Sequence, residues 1–130
     1  MSVLSAPSPT DVVRAELQDD PTIDITTTGR RSGQARRIEI WMLDVDGRFF
    51  ITGTPGRRDW LANLRADPVL TVHLKRRAQV DLPARAEPVT DAGTRRRVLE
   101  HLGARWYRGQ AGLDDLVAKS PMVEVTFEPA

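Results

Sequence analysis

Residues 26–43 read TTTGRRSGQARRIEIWML and join two β-rich runs through a basic turn. Between Thr28 and Ile38 the turn holds four arginines, two glycines, a serine and a glutamine, with no acidic residue to neutralise them. Glycines let backbone N–H groups point inward, and each arginine offers paired donors to phosphate or carboxylate oxygens. The turn therefore either cradles an anion or is an ordinary hairpin turn solvated by arginine. The residue types alone leave both interpretations open.

Strand patterns continue on both sides of this turn. The β-branched run 23–28 predicts one strand, and the alternation over 36–45 predicts a second, long one. Asp46-Gly47 predicts a hairpin into a strand over 48–52. Later strands are expected at 69–75, 79–89 and 122–127. Pro83 and Pro88 interrupt the 79–89 run, which predicts an edge or bulged strand there because proline cannot donate to a sheet.

Short helices are predicted between the strands. Ser8 or Thr10 would cap the first helix and Asp59 the second, and Thr90-Asp91 would open the third, since short polar side chains accept hydrogen bonds from a helix N-terminus. The third helix would bury Val98, Leu99 and Leu102 and place the arginines 95–97 on a solvated face. A further helical turn is expected within 103–119.

The fold class follows from this order of elements. About six strands, joined mostly by hairpin-length connections, predict a mainly β protein with α additions, built as a small closed antiparallel barrel. The strands do not alternate with helices as βαβ units do, so a Rossmann sheet is not expected. At 130 residues the chain is expected to form a single domain over 21–130, preceded by an arm and short helix at 1–20.

Composition limits the kind of site that this domain can carry. The net charge is +1, yet residues 25–77 hold eleven Lys/Arg against five Asp/Glu, which favours a compact anionic ligand over nucleic acid. There is no cysteine, and the two histidines are isolated, so no metal site is expected. No apolar run is long enough for a membrane span, and the N-terminus does not read as a signal peptide, so we expect a cytoplasmic protein.

A second basic glycine loop, over residues 53–58, suggests where the ligand binds. If the strands that precede the two loops pair, Arg57 and the arginines of the first turn meet around one anion. Trp60 would stack on a ring or fill the barrel mouth, and Asn63 would lie one helical turn beyond it. Trp41 would face a ligand or a dimer interface, while His73 and Tyr107 are expected to be structural. No acid–base or nucleophile arrangement stands out, so a cofactor should carry any reaction.

Several of these motifs together resemble a known family. The TTTGRRSGQ turn, Asp46-Gly47, Gly53, and the stretch in which Trp60, Asn63-Leu64 and Ala66-Asp67-Pro68 precede a Val-rich strand are similar to the deazaflavin-dependent nitroreductase and quinone reductase family. That resemblance implies a split β-barrel of the pyridoxamine 5'-phosphate oxidase-like kind. The similarity extends over about residues 23–89, and the closing strand also fits it.

The resemblance also implies a cofactor and a reaction. The expected cofactor is coenzyme F420, with FMN as the alternative, and the expected reaction is hydride delivery to a quinone, nitroaromatic or enone. No catalytic side chain and no metal are expected. The residues expected to contact the cofactor are Arg30, Arg31, Ser32, Gly33, Arg36, Arg37, Ile38, Glu39, Ile40, Trp41, Thr52, Gly53, Thr54, Arg57, Trp60 and Asn63.

Three departures from the family pattern and one alternative remain. Many relatives have proline after the glutamine and a proline-aromatic pair in the next strand, where this chain has Ala35 and Glu39-Ile40-Trp41. Pro55 stands where some have lysine, a role that Arg57 would take over. The long hydrophobic N-terminal helix of the quinone-reducing members is not expected, which makes membrane quinones a weaker substrate. The alternative function is a non-catalytic split-barrel protein that binds FMN, haem or another anionic small molecule. The expected partners are a small-molecule substrate and a second copy of the chain, with no nucleic acid.

Overall fold

Seven strands and five α-helices make up the part of the chain that the structure, a computed structural model, describes, which is residues 8–129. The strands are β1 (Thr22–Thr28), β2 (Ala35–Trp41), β3 (Leu43–Val45), β4 (Arg48–Thr52), β5 (Val69–Leu74), β6 (Val80–Pro88) and β7 (Met122–Phe127). The helices are α1 (Pro9–Asp19), α2 (Asp59–Ala66), α3 (Ala92–Glu100), α4 (Arg105–Arg108) and α5 (Leu113–Lys119), with a 3₁₀ turn at Leu102–Ala104. Residues 1–7 of the predicted arm lie outside the described range.

The strands form one antiparallel sheet in the order β2-β1-β5-β6-β7-β4-β3. The two outermost strands, β2 and β3, follow each other in the chain and are separated only by Met42, so the sheet curls until its ends meet. The predicted long strand 36–45 is interrupted at this residue, where the Met42 N–H still donates to the Pro21 carbonyl just before β1 begins, and the chain then pairs with β4 as β3. The expected barrel with α additions is confirmed, with seven strands in place of about six.

The prediction of an edge or bulged strand at 79–89 was wrong, because β6 lies inside the sheet between β5 and β7. Its prolines are tolerated there because each lies where a neighbouring strand has ended. Pro88 is beyond Val69, the first residue of β5, and Pro83 is opposite Glu128, just past the end of β7. Neither proline therefore removes a ladder hydrogen bond.

Two hydrophobic clusters hold the fold together. The larger cluster fills the barrel with inward-facing strand residues such as Ile25, Ile51 and Val72, each fully buried, and α1 adds Val13. The smaller cluster lies between the sheet and helices α3 to α5. Helix α1 is also tied down by the buried Glu16 carboxylate, which accepts hydrogen bonds from backbone N–H groups at 76 and 78.

Helix ends follow the predicted pattern in two of three cases. Ser8 and Asp91 cap α1 and α3 as expected, each accepting a backbone N–H of the first turn. The predicted cap at Asp59 was wrong, since Arg58 holds the N-cap position and makes no side-chain capping bond. Leu102, expected in the apolar face of α3, lies beyond the helix end and is 71% exposed. None of the described helices is long and apolar enough to cross a bilayer.

Candidate functional site

The basic turn between β1 and β2 is a tight, internally bonded loop. The Gly29 N–H donates to the Gln34 carbonyl at 2.8 Å, and the Gly33 N–H donates to the Gly29 carbonyl at 2.8 Å. A Cβ on Gly29 would lie 2.6 Å from Ser32 Oγ, so only glycine fits without rearrangement. Gly33 has a φ of +70°, which glycine adopts at little cost. These constraints fix the positions from which the side chains at 30–32 project.

This turn and the first turns of α2 form the walls of a depression of about 550 Å³. Because the side chains of Arg36 and Ile38 point to the same face of β2, both line it. The full lining consists of Thr27, Gly29, Arg30, Arg31, Ser32, Arg36, Ile38, Asp59, Trp60 and Asn63. One part of the surface is cationic, and another part, at Ile38 and Trp60, is apolar. The depression therefore suits a ligand that combines an anionic group with an apolar, flat one.

Arg30 fastens the turn to α2. Its backbone N–H and its Nη1 both donate to Asn63 Oδ1, at 3.1 and 3.0 Å. Its Nη2 lies 3.4 Å from Asp59 Oδ1, an ion pair at the exposed rim. Asn63 is 4% exposed, and its Nδ2 donates to Thr27 Oγ1 at 3.2 Å. The Arg30 guanidinium is thus engaged within the protein and closes one side of the depression.

Arg31 and Arg36 carry the charge that remains available for a ligand. Neither makes an ion pair with a carboxylate within residues 8–129, whereas Arg30 does. The Arg36 side chain leans toward Ser32, with Nη2 3.5 Å from Oγ, so its guanidinium stays over the turn. Two cations without counterions repel each other and attract an anion. The positive potential of the depression therefore comes mainly from these two arginines.

Seven of the sixteen residues predicted to contact the cofactor line this depression: Arg30, Arg31, Ser32, Arg36, Ile38, Trp60 and Asn63. The depression also includes Thr27, Gly29 and Asp59, which the prediction lacked. Thr27 lies opposite Arg36 in the β1–β2 register. Pairing the two predicted strands across the turn would therefore have placed Thr27 beside Arg36. Gly33 lies in the turn without lining the depression, and Ile40 packs against the barrel core.

The alternate residues of β2 lie on the other face of the sheet, in an ion-pair network. Arg37 Nε donates to Asp24 Oδ2 at 2.9 Å, and Lys75 Nζ lies 2.7 Å from Asp24 Oδ1. Lys75 also pairs with Glu39. The Lys75 hydrogen bond holds the pKa of Asp24 below its ordinary value against the opposing effect of burial, and Arg37 adds to the lowering. Arg37 therefore pairs with Asp24 and Glu39 pairs with Lys75, and both side chains lie away from the depression.

Trp41 is covered by two aromatic side chains. Its ring centroid lies 5.8 Å from that of Trp106 and 5.9 Å from that of Tyr107, both in edge-to-face contact. Trp41 is half-buried in the smaller cluster, so the expected exposed Trp41 face is occupied by the chain itself. The predicted packing role of Tyr107 is confirmed: the residue is 7% exposed, and burial raises the pKa of its phenol.

The second glycine loop does not meet the first as predicted. The strands before the two loops, β1 and β4, are not neighbours in the sheet. Thr52 is buried and donates to the Pro121 carbonyl at 2.7 Å, while Thr54 accepts from Arg58 Nη2 at 3.1 Å. Gly53 is buried against the same guanidinium. Arg57 lines a different depression, on the other side of α2 from the first.

His73 is structural in this fold, as predicted. Its Nε2 lies 2.7 Å from Thr26 Oγ1 and its Nδ1 lies 2.7 Å from Asp81 Oδ1, so both ring nitrogens have partners. The residue is 7% exposed and joins β1, β5 and β6. Within the described residues no three His, Asp or Glu side chains are grouped as a metal site would require.

Comparison with known proteins relates this architecture to several others. The model of a family described as F420H2-dependent quinone reductase matches residues 8–113. An F420-H2 dependent reductase (FDR-A) superposes with a TM-score of 0.58 at 19% identity, covering 82% of this chain and 95% of that one.

Two further solved structures are similar in fold. A member of the pyridoxinephosphate oxidase family from Clostridium acetobutylicum has a TM-score of 0.69 at 17% identity, covering 92% of this chain and 83% of that one. A heme binding protein from Mycobacterium smegmatis has a TM-score of 0.69 at 13% identity, covering 96% of this chain and 53% of that one. The predicted split β-barrel is thus confirmed.

Proposed function

Because the chain belongs to the F420H2-dependent quinone reductase family, and is thus an F420H2-dependent reductase, we propose that it transfers a hydride from reduced coenzyme F420 to an electron-poor small-molecule acceptor. The acceptor classes that fit are quinones, nitroaromatics and enones. The observation that carries the proposal is the pairing, in one depression, of two arginines without carboxylate partners with an apolar surface at Ile38 and Trp60. A coenzyme with an anionic chain and a flat ring requires both surfaces.

The residues of the depression fit this coenzyme. Arg31 and Arg36 would hold its phosphodiester through charge-assisted hydrogen bonds, which are stronger than neutral ones. Ser32 adds a hydroxyl donor beside them. Ile38, 38% exposed, and the edge of Trp60 would give apolar contact to the ring. Arg30 would keep the turn against α2 through Asn63 and so hold the other donors in place.

The bound coenzyme would supply the hydride, and the protein would supply position and electrostatics. Asp59, at the rim, is paired with Arg30, which offsets its repulsion toward an anionic ligand. The tight Gly29–Gln34 turn would hold its cations in place before the ligand arrives, which lowers the entropy cost of binding. We assign no side chain a catalytic proton transfer.

We also propose that the protein forms a homodimer. A similar structure described as a domain-swapped dimer, at 19% identity, supports this assembly for the fold. The proposed interface is the surface around Trp106 and Leu102, which are 54% and 71% exposed. It replaces the expected Trp41 face. Analytical ultracentrifugation at micromolar concentration should give twice the 14.5 kDa mass of the chain, and a monomer would contradict the proposal.

Turnover tests the reductase proposal. The purified protein is mixed with chemically reduced F420, and reoxidation of the coenzyme is followed by its absorbance with menadione, a nitroaromatic and cyclohexenone as separate acceptors. The proposal predicts protein-dependent reoxidation with at least one acceptor and a rate that saturates with coenzyme. The same assay with reduced FMN distinguishes the alternative cofactor. Tight binding without turnover for every acceptor would favour a carrier of the coenzyme over a reductase.

A further inference from the structure

A second depression, of about 650 Å³, lies across α2 from the first. Helix α2 separates the two: Trp60 and Asn63 line the first, while Leu61 and Arg65 line the second. The cationic residues in the wall of the second depression are Arg57, Arg58, Arg65, Arg95 and Lys119, and its lining contains no Asp or Glu. Five cations around one concave surface create a field that attracts anions.

The distribution of ion pairs makes this cluster unusual within the molecule. Eight of the seventeen arginines pair with a carboxylate in the described part of the chain. Of the nine that do not, two line the first depression and four line the second. Those four are Arg57, Arg58, Arg65 and Arg95. Unneutralised arginine is thus concentrated at the two concave surfaces.

Two of the four are fixed in place by neutral groups. Arg95 donates to three backbone carbonyls, those of residues 89, 117 and 120, at 2.8, 2.6 and 2.5 Å. Arg58 donates to the Thr54 carbonyl at 3.0 Å and to its hydroxyl. Carbonyls orient a guanidinium without cancelling its charge. The depression therefore has a rigid, positively charged wall.

The other cations are available to contact a ligand directly. Arg57 and Arg65 are exposed and make no ion pair within residues 8–129, and Lys119 has only a loose pair with Asp115 at 3.9 Å. Ser120, which also belongs to the wall, has a buried Oγ without a hydrogen-bond partner among the described residues. Exposed cations with loose carboxylate partners or none, next to a fixed charged wall, make a surface suited to an oxyanion.

We propose that this second depression binds an oxyanion that carries at least two negative charges, a phosphate or a group of carboxylates. Arg57 and Arg65 contact the anion, and Arg58 and Arg95 provide the fixed field behind it. The site stands on residues of a separate surface, and only its occupation by the acids of the coenzyme rests on the proposed function. Its occupant is either a free anionic metabolite or the acidic part of a coenzyme held in the first depression.

The experiment is an NMR titration of ¹⁵N-labelled protein with inorganic pyrophosphate at low ionic strength. Saturable shifts are expected at the backbone amides of Arg57, Arg65 and Lys119, and added salt should weaken them. Arg57→Ala with Arg65→Ala should weaken this binding by about tenfold or more, since charged hydrogen bonds are among the stronger ones. The matched control is Arg85→Ala with Arg105→Ala, which removes two exposed arginines that line neither depression and should leave the affinity unchanged.

The same titration on protein saturated with F420 identifies the source of the anion. Unchanged pyrophosphate binding assigns the site to a free anion, and loss of binding assigns it to the acids of the coenzyme. The proposal is overturned if these amides show no saturable shift, or if the Arg57/Arg65 variant and the control bind equally well. Because the probe is pyrophosphate and not F420, this test can support or overturn the second site even if the protein does not bind F420.

Discussion

Arg30 and Asn63, 33 residues apart in the chain, form two hydrogen bonds that fasten the basic turn to α2. The acceptor in both is Asn63 Oδ1, and the amide is held in turn by Thr27. We therefore regard Arg30 as a positioning residue and Arg31 and Arg36 as the ligand-binding cations. Arg30, Arg31 and Arg36 look equivalent in the sequence but therefore have two different roles.

The two hydrogen bonds between Arg30 and Asn63 predict a coupled loss of stability. Arg30→Ala should lower the free energy of unfolding by about 1–2 kcal/mol, because the buried Asn63 Oδ1 loses its charged donor and keeps only the backbone N–H of residue 30. Asn63→Ala should cost more, because it also removes the bond to Thr27, and the double variant should cost clearly less than the sum. Urea unfolding of the four proteins measures the coupling. Fully additive effects would mean that the two side chains do not depend on each other.

Trp60 should report on the first depression. Among the three tryptophans, it alone lines that depression, while Trp41 and Trp106 contact each other elsewhere. Coenzyme binding should therefore quench mainly Trp60 fluorescence. Trp60→Phe should abolish most of the quenching, and Trp106→Phe should retain it. Quenching that disappears with Trp106 instead would place the ligand on the other side of the barrel.

The Asp24 network should make stability fall in acid. Asp24 has a folded-state pKa below its ordinary value of 3.8, chiefly through Lys75. Its contribution is thus fully present above about pH 5 and is lost as the pH falls through the lower folded-state pKa. Asp24→Asn should destabilise the protein by about 1 kcal/mol at pH 7, with a difference that shrinks as the pH falls below the ordinary value of 3.8.

The control for this pH dependence is Asp115→Asn, which removes an exposed carboxylate with only a loose partner at 3.9 Å. At pH 7 this variant should lose less unfolding free energy than Asp24→Asn does. Chemical unfolding at several pH values measures both variants. An Asp24→Asn effect of equal size at neutral and acid pH would show that packing, and not charge, accounts for the loss.

Arg95 should matter for stability far more than its neighbour Arg96. Arg95→Met keeps much of the apolar stem but leaves three carbonyls without their donor, and it should cost about 3 kcal/mol. Arg95→Lys should not restore it, because one ammonium cannot reproduce the planar fork. Arg96→Met breaks only exposed ion pairs and should cost less than about 1 kcal/mol. Thermal unfolding compares the three variants, and similar losses for Arg95→Met and Arg96→Met would contradict this.

The same residue shows where sequence reasoning reaches its limit. The barrel was predictable because strand alternation and the Asp46-Gly47 turn are local signals, and both residues of that turn have the positive φ that such a hairpin needs. Arg95 was expected on a solvated face because its partners lie in other elements, up to 25 residues away. The helical pattern places Arg95 on the solvent side of α3, and it cannot indicate that three carbonyl groups from other parts of the chain lie around that side chain.

Two other predictions, one on the second glycine loop and one on the strand at 79–89, failed for a related reason. Placing Arg57 beside the first turn required β1 and β4 to be neighbours, but strand order depends on how the whole sheet closes. Likewise, the prolines of β6 are harmless only because β5 and β7 end where they do. The first turn does line a concave surface, and its glycines and arginines are local features that the sequence displays, although the sequence left open whether they bind an anion.

Titration of the wild type and of Arg31→Ala with Arg36→Ala, using oxidised F420 and separately FMN, tests the central claim most directly. Isothermal calorimetry gives the affinities without relying on any fluorophore. The account predicts that F420 binds more tightly than FMN and that the double variant loses about 100-fold or more in F420 affinity, since two charge-assisted contacts are removed. Equal F420 affinity in the two proteins, or a preference for FMN, would contradict it.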